Sequence, residues 1–166
     1  MNRYLFRILN MVQKPDLLPL GMRRWLLTRM GILVSPSAVV LSGIHFVQGA
    51  ISIGDRAFIN HGCLIEGAGG VDIGDRAHLA HRCMILTTSH EIGADPNNRA
   101  FGMRIAQIRI GAGSWLGAGT TVINGVTIGR GVVIAAGAVV HRDVADNTLA
   151  GGVPVKSMRS LETGGA

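Results

Sequence analysis

His90 stands where a regular sequence breaks. Thr87-Thr88-Ser89-His90 is followed by residues 91–107, which carry Gly93, Pro96 and Gly102 and keep no period. An imidazole titrates near neutrality, so a histidine at the root of a loop is a candidate base for a reacting hydroxyl or amine. The alternative is a solvated histidine at a corner. A second constellation lies upstream, where His61-Gly-Cys63 and His81-Arg-Cys83 repeat twenty residues apart. Four His and Cys side chains invite a zinc reading. Asn60, beside His61, either offers its amide to a ligand or closes a polar turn.

The elements that must hold these groups follow from a second period. Aliphatic residues recur every six positions at Ile110, Leu116, Val122, Ile128, Ile134 and Val140. The same phase runs through Ile53, Ile59 and Ile65, then Ile73, Leu79 and Ile85. Six is neither the 3.6 of a helix nor the 2 of a half-buried strand. It is the hexapeptide signature of a parallel β-helix, in which each repeat is a short strand and a turn. Such a unit cannot bury its own apolar face, so coils stack into one continuous core. A small residue repeats at the fifth position (Ala57, Cys63, Ala77, Cys83, Ser114, Thr120, Val126, Val132, Ala138) and is expected inside. That register argues against zinc: His61 and His81 take the third, outward position and both cysteines the fifth, inward one. The cysteines read as stacked core thiols, and no metal site is expected.

The chain divides into a helical segment, residues 1–31, a β-helix over 32–150 with an excursion loop at 91–107, and a tail over 151–166. Tyr4 to Val12 predicts one amphipathic helix ended by Pro15, and Met22–Met30 a second, stopped by Gly31. The spacing from Ile65 to Ile73 is two over six, so one corner bulges at Gly67–Asp72. The helices are expected to lay their apolar faces over the open end of the prism, as solenoid termini require. The alternative is a basic amphipathic surface, residues 1–30, resting on anionic membrane.

Composition narrows the partners. A net charge of +6 is distributed along 166 residues, not gathered in one run. No nucleic-acid motif accompanies it, and a small polyanion such as a phosphorylated cofactor is the expected partner. No apolar run approaches the ~20 residues of a membrane span. Arg3 and Arg7 interrupt any signal-peptide core, and two cysteines give no reason to expect an oxidising compartment. A cytoplasmic location is the default.

The run GSWLGAGTTVINGVTIGRGVVIAAGAVVHRDVADNTLAGGVPVK, Gly113 to Lys156, resembles the carboxy-terminal signature of hexapeptide-repeat acyltransferases. It is most similar to the maltose, galactoside and polysaccharide O-acetyltransferase branch, and TTSH resembles that branch's catalytic histidine segment. The likeness covers about residues 45–160. It implies left-handed coils, a homotrimer, and acetyl-CoA lying in the groove between two prisms. His90 is then the general base, the Ala118 backbone N–H serves the oxyanion, and Asn60 binds the acceptor. Ala80, Trp115, Ala136, His141, Arg142, Lys156 and Arg159 fall where the family contacts CoA. Trp115 reads equally as an outward aromatic covering a neighbour, and the three cations as ordinary surface charge. Ala135 and Val155 replace a common Gly and Ala, and His141 precedes an Arg142 that is often Lys; these departures touch the CoA contacts, not the reaction. The expected activity is acetyl transfer from acetyl-CoA to a hydroxyl of a sugar or polysaccharide precursor. Rival readings are N-acetylation of an amino sugar, sugar nucleotide or antibiotic, a zinc hydratase like γ-carbonic anhydrases, and a structural scaffold. The hydratase lacks the close histidine pair it would need.

Overall fold

The protein is described by a computed structural model over residues 2–162. Helices α1 (Arg3–Val12) and α2 (Leu20–Arg29) precede the coils. The first coil is β1 (Leu33–Val34), β2 (Val39–Val40) and β3 (His45–Val47); the second is β4 (Ile51–Ile53), β5 (Phe58–Ile59) and β6 (Leu64–Glu66). Then come β7 (Val71–Ile73), β8 (His78–Leu79) and β9 (Met84–Leu86). An excursion follows, formed by β10 (Thr88–Ile92) and β11 (Ala100–Ile105). Coiling resumes with β12 (Ile108–Ile110), β13 (Trp115–Leu116) and β14 (Thr121–Ile123), then β15 (Thr127–Ile128), β16 (Val133–Ile134) and β17 (Val139–Val140). The chain closes with β18 (Thr148–Gly151) and β19 (Lys156–Ser160).

Each coil contributes one strand to each of three parallel sheets, making a left-handed triangular prism. The first face runs β1-β4-β7-β12-β15, the second β2-β5-β8-β13-β16-β18, and the third β3-β6-β9-β14-β17. The aliphatic columns stack in register: Ile53 on Ile73, Ile59 on Leu79 and then Leu116, Ile65 on Ile85 and then Val122. All nine residues of the small fifth position are buried. The two hydroxyls among them, Ser114 and Thr120, donate to the Gly129 and Gly117 carbonyls at 2.7 Å each, so neither hydroxyl is stranded inside.

Three expectations change in detail. The excursion is an antiparallel ribbon, β10 against β11, and not an irregular loop; both strands are exposed apart from Thr88. The segment after Gly151 is not an irregular tail: β18 pairs parallel with β16 as part of a sixth coil, and β19 folds back antiparallel upon it. Residues 163–166 of that expected tail lie outside the described residues. The helices cover the open end by different means. α2 buries Leu26 and Leu27, followed by Met30, whereas α1 lays Phe6 and Asn10 on the coils and turns its apolar stripe away.

Polar side chains hold α1 and its linker on the first coil. The Asn10 amide donates to the Phe46 carbonyl at 2.8 Å and accepts from the Phe46 N–H at 3.3 Å. Gln13 Nε2 donates to the Ile44 carbonyl at 2.7 Å. Buried Arg23 spends its guanidinium on the carbonyls of Gln13, Val40 and Pro15; burial lowers its pKa, only partly countered by Asp16. These bonds answer the unpaired strand edge that any open β-helix presents. Among the described residues no helix is long and apolar enough to cross a membrane.

Candidate active site

The ribbon carrying His90 is anchored at its root by a carboxylate that the sequence did not single out. Glu66, the last residue of β6, accepts from the Thr88 N–H at 2.8 Å and from the Thr88 hydroxyl at 2.7 Å. Thr87 donates to the Glu66 carbonyl at 3.0 Å and accepts from the Gly69 N–H at 3.1 Å, while its own carbonyl takes the Ala106 N–H at 3.0 Å. The bulged corner is thereby tied to both strands of the ribbon. Gly69 is required there, since a Cβ would meet the Ala106 carbonyl oxygen at 2.7 Å.

Pairing within the ribbon slips between Ser89 and Glu91, leaving His90 at a β-bulge. His90 is exposed, and its Nδ1 lies 2.7 Å from the Gly102 carbonyl oxygen. A carbonyl only accepts, so Nδ1 carries a proton, and in the neutral ring Nε2 is the nitrogen that can accept. Gly102 has φ +59°, the left-handed region in which glycine is unstrained. The sequence marked Gly102 only as a loop residue; its partnership with His90 depends on the slip in register.

A second group of residues lines another edge of the prism. At the corner between the second and third faces the third hexapeptide position holds His61, His81, Ala118 and Ala136, coil upon coil. The His61 and His81 rings stack at 5.8 Å, and Ser42 Oγ lies 2.7 Å from His61 Nδ1. Asn60 sits on this corner with its Oδ1 accepting the His61 N–H at 2.8 Å. Ala80 is one coil on, its N–H donating to the Leu116 carbonyl at 2.9 Å. Ala118 and Ala136 are exposed, and the Ala118 N–H is left without a partner among the described residues.

The other expected cofactor contacts disperse. Trp115 points outward from the second face, half exposed, between His78 and Val133 in register. His141 and Arg142 follow β17 at the corner between the third and first faces, the corner from which the ribbon also springs. Arg142 reaches the Val155 carbonyl at 3.4 Å, beside Lys156, while Arg159 pairs with Leu149 along β18. One chain therefore gathers Asn60, Ala80, Ala118 and Ala136 on one corner and His90, His141 and Arg142 on another, with the third face between.

The histidine and cysteine repeats do not converge. Cys63 and Cys83 are buried, donating to the Ala80 and Gly117 carbonyls at 3.2 and 3.4 Å, while the two histidines lie outside the wall. The Cys63 sulfur alongside, and then burial, push the Cys83 thiol up. Among the described residues no group of three or more His, Cys, Asp or Glu side chains is placed to hold a metal ion.

Residues 107–142 match the family described as bacterial transferase hexapeptide (six repeats), and residues 50–80 the hexapeptide repeat of succinyl-transferase. No curated protein matches in sequence. Among solved structures, a hexapeptide-repeat acetyltransferase of Vibrio cholerae O1 biovar eltor, complexed with acetyl coenzyme A, is 30% identical; the match covers 96% of this chain and 87% of that one, with TM-score 0.84. A maltose O-acetyltransferase from Clostridium difficile 630 is 27% identical over 96% and 84% of the two chains, TM-score 0.73. An N-acyltransferase from Bacillus cereus, solved with dTDP and coenzyme A, is 19% identical over 79% and 82%, TM-score 0.66, and shares the fold.

Proposed function

The chain belongs to the hexapeptide-repeat acetyltransferase family, and from that premise we propose that it moves the acetyl group of acetyl-CoA to a hydroxyl of a sugar or polysaccharide-precursor acceptor. The observation that carries this reading is the fixed tautomer of His90. With Nδ1–H held by the Gly102 carbonyl, Nε2 takes the proton of the acceptor hydroxyl as its oxygen attacks the thioester carbon. The new C–O bond forms as the carbonyl becomes an oxyanion, for which the exposed Ala118 N–H is the donor. Collapse of that intermediate breaks the C–S bond, and the thiolate takes the proton back from His90 as CoA leaves. No metal takes part in this scheme.

The separation of His90 from the Asn60–Ala118 corner gives the site its second requirement. Three parallel prisms about a threefold axis would set the ribbon of one copy against the corner of the next, making a homotrimer the functional unit. The acetyl-CoA arm then lies between copies, flanked by Ala80, Trp115 and Ala136, with His141, Arg142, Lys156 and Arg159 available to its phosphates. O-transfer is favoured over N-transfer by the maltose O-acetyltransferase at 27% identity, against 19% for the N-acyltransferase.

The test is thiol release from acetyl-CoA across a panel of sugars, amino sugars and sugar nucleotides, run on the wild type, His90→Ala, Asn60→Ala and mixtures of the two. His90→Ala should lose on the order of 10²–10⁴-fold in kcat with CoA affinity retained. Subunits of the two variants, unfolded and refolded together, should recover about a quarter of the intact sites by random assortment. More than about a tenth of wild-type turnover in His90→Ala removes the base from the mechanism, and turnover only with amines replaces the acceptor class.

A further inference from the structure

α1 meets the prism with one side and shows solvent another. Phe6 and Asn10 face the coils, while Tyr4, Leu5, Ile8, Met11 and Val12 form a continuous stripe on the far side. Tyr4 is 73% exposed and Met11 71%. A helix of a globular protein normally buries such a stripe. Here the Asn10 amide and Phe6 do the docking, so the stripe is left over. Leu17, 97% exposed, and Trp25 on α2, 59% exposed with the Arg29 guanidinium 5.8 Å from its ring, extend the apolar surface over the same end.

Charge marks the same end. Residues 1–54 hold six Lys and Arg against a single acid, Asp16, a net of +5; the remaining ten cations and nine acids leave +1. The cations are spaced along the chain, but every acid except Asp16 lies after residue 54, so almost the whole net charge of +6 resides in residues 1–54. Arg3, Arg7 and His45 line a cleft of about 280 Å³ between α1 and the third face, next to the stripe on the helix surface. Lys14 Nζ stands 3.0 Å from His45 Nδ1 at its far side.

We propose that this end of the protein docks on a membrane surface containing anionic lipid. The stripe enters the interface, and Arg3 and Arg7 take the headgroup phosphates. A second copy of the chain suits the surface less well, because a like-on-like contact sets the exposed cations of this end, Arg3 and Arg7 among them, against one another. Parallel prisms in a cyclic assembly would also present this end on one side, so that several copies engage one bilayer together.

The test is co-sedimentation of the full chain with vesicles of phosphatidylcholine alone and of phosphatidylcholine with phosphatidylglycerol, at about 0.15 M salt. Binding should require phosphatidylglycerol and weaken as salt rises. Ile8→Asp, at an exposed position that leaves the fold intact, should lower partitioning on the order of tenfold or more. Arg3→Gln and Arg7→Gln should each lower it about fivefold. Velocity sedimentation of the same variants separates the rival occupant. The proposal is overturned if anionic vesicles capture none of the wild type, or if Ile8→Asp dissociates the assembly while leaving vesicle binding unchanged, which assigns the stripe to a neighbouring copy.

Discussion

Glu66 is the most informative residue to perturb, because it holds the ribbon without touching the reacting atoms. Its two carboxylate oxygens accept from the Thr88 N–H and hydroxyl at 2.8 and 2.7 Å, at a half-buried position two residues from His90. Bonds to an ionised acceptor contribute about 1.5–3 kcal/mol each, and an abandoned buried N–H costs about 1–3 kcal/mol. Glu66→Ala removes both bonds and leaves the Thr88 N–H unpaired, for a cost of about 2–4 kcal/mol once water re-solvates part of the opened root. Glu66→Gln keeps one acceptor oxygen and lets the Thr88 hydroxyl turn to accept from the amide, so about 1–2 kcal/mol is lost. At about 3 °C per kcal/mol for a chain of this size, Tm falls by about 3–6 °C in Gln and 6–12 °C in Ala if the ribbon unfolds with the coils. If it opens alone, Tm barely moves and the loss appears instead as faster hydrogen exchange at Thr88 and Ala106. Either way kcat should fall further in Ala than in Gln while the KM for acetyl-CoA holds, since a misplaced base lowers turnover without disturbing cofactor contacts. A Glu66→Ala protein with kcat within about threefold of wild type and unchanged exchange at Thr88 would refute the anchoring argument.

Two further predictions concern the prism and its end. Ala77→Phe forces a ring into a fully buried small-residue column, and calorimetry should record a loss of about 1–3 kcal/mol or more, or failure to form coils at all. Burial, and behind it the Lys14 ammonium, hold the His45 imidazole below its ordinary value near 6.5. The unfolded chain therefore takes up this proton first: stability is full above the ordinary value, declines as pH falls through it, and levels off below the folded value. Urea titrations of wild type and His45→Gln between pH 5 and 8 should diverge only toward the acid side.

What the sequence disclosed depended on repetition. A six-residue period fixes phase, and phase fixes which residues point inward, so every small fifth-position residue named from Ala57 to Ala138 is buried. The same phase put the cysteines inside and His61 and His81 on the outer side of the wall. Residues acting once, outside the repeat, stayed hidden. Asn10, Gln13 and Arg23 look like ordinary polar positions in a helical stretch, yet all three are buried on strand edges. Glu66 differs in no local respect from a surface glutamate, because its partners are twenty-two residues on. The ribbon reads as a loop because Pro96 and the glycines dominate its composition and none of its strands buries a face. The division of the candidate site between two corners was also invisible, because adjacency across an edge of the prism belongs to the assembly and not to the order of residues.

The Asn10 side chain has a consequence beyond holding a helix. Its amide offers Phe46 one donor and one acceptor, the same pair a peptide group of another coil would offer. At the opposite end β19 turns back antiparallel on β18, where a parallel continuation would otherwise add. A prism of near-identical coils is a natural monomer for end-to-end polymerisation, since the top of one molecule matches the bottom of the next as well as its own layers match each other. One side chain imitating a missing layer, and one strand running the wrong way, act as chain terminators. Because Gln13, Arg23 and α2 guard the same edge, exposing that end takes removal of both helices together with β19, and such a chain should elongate end to end.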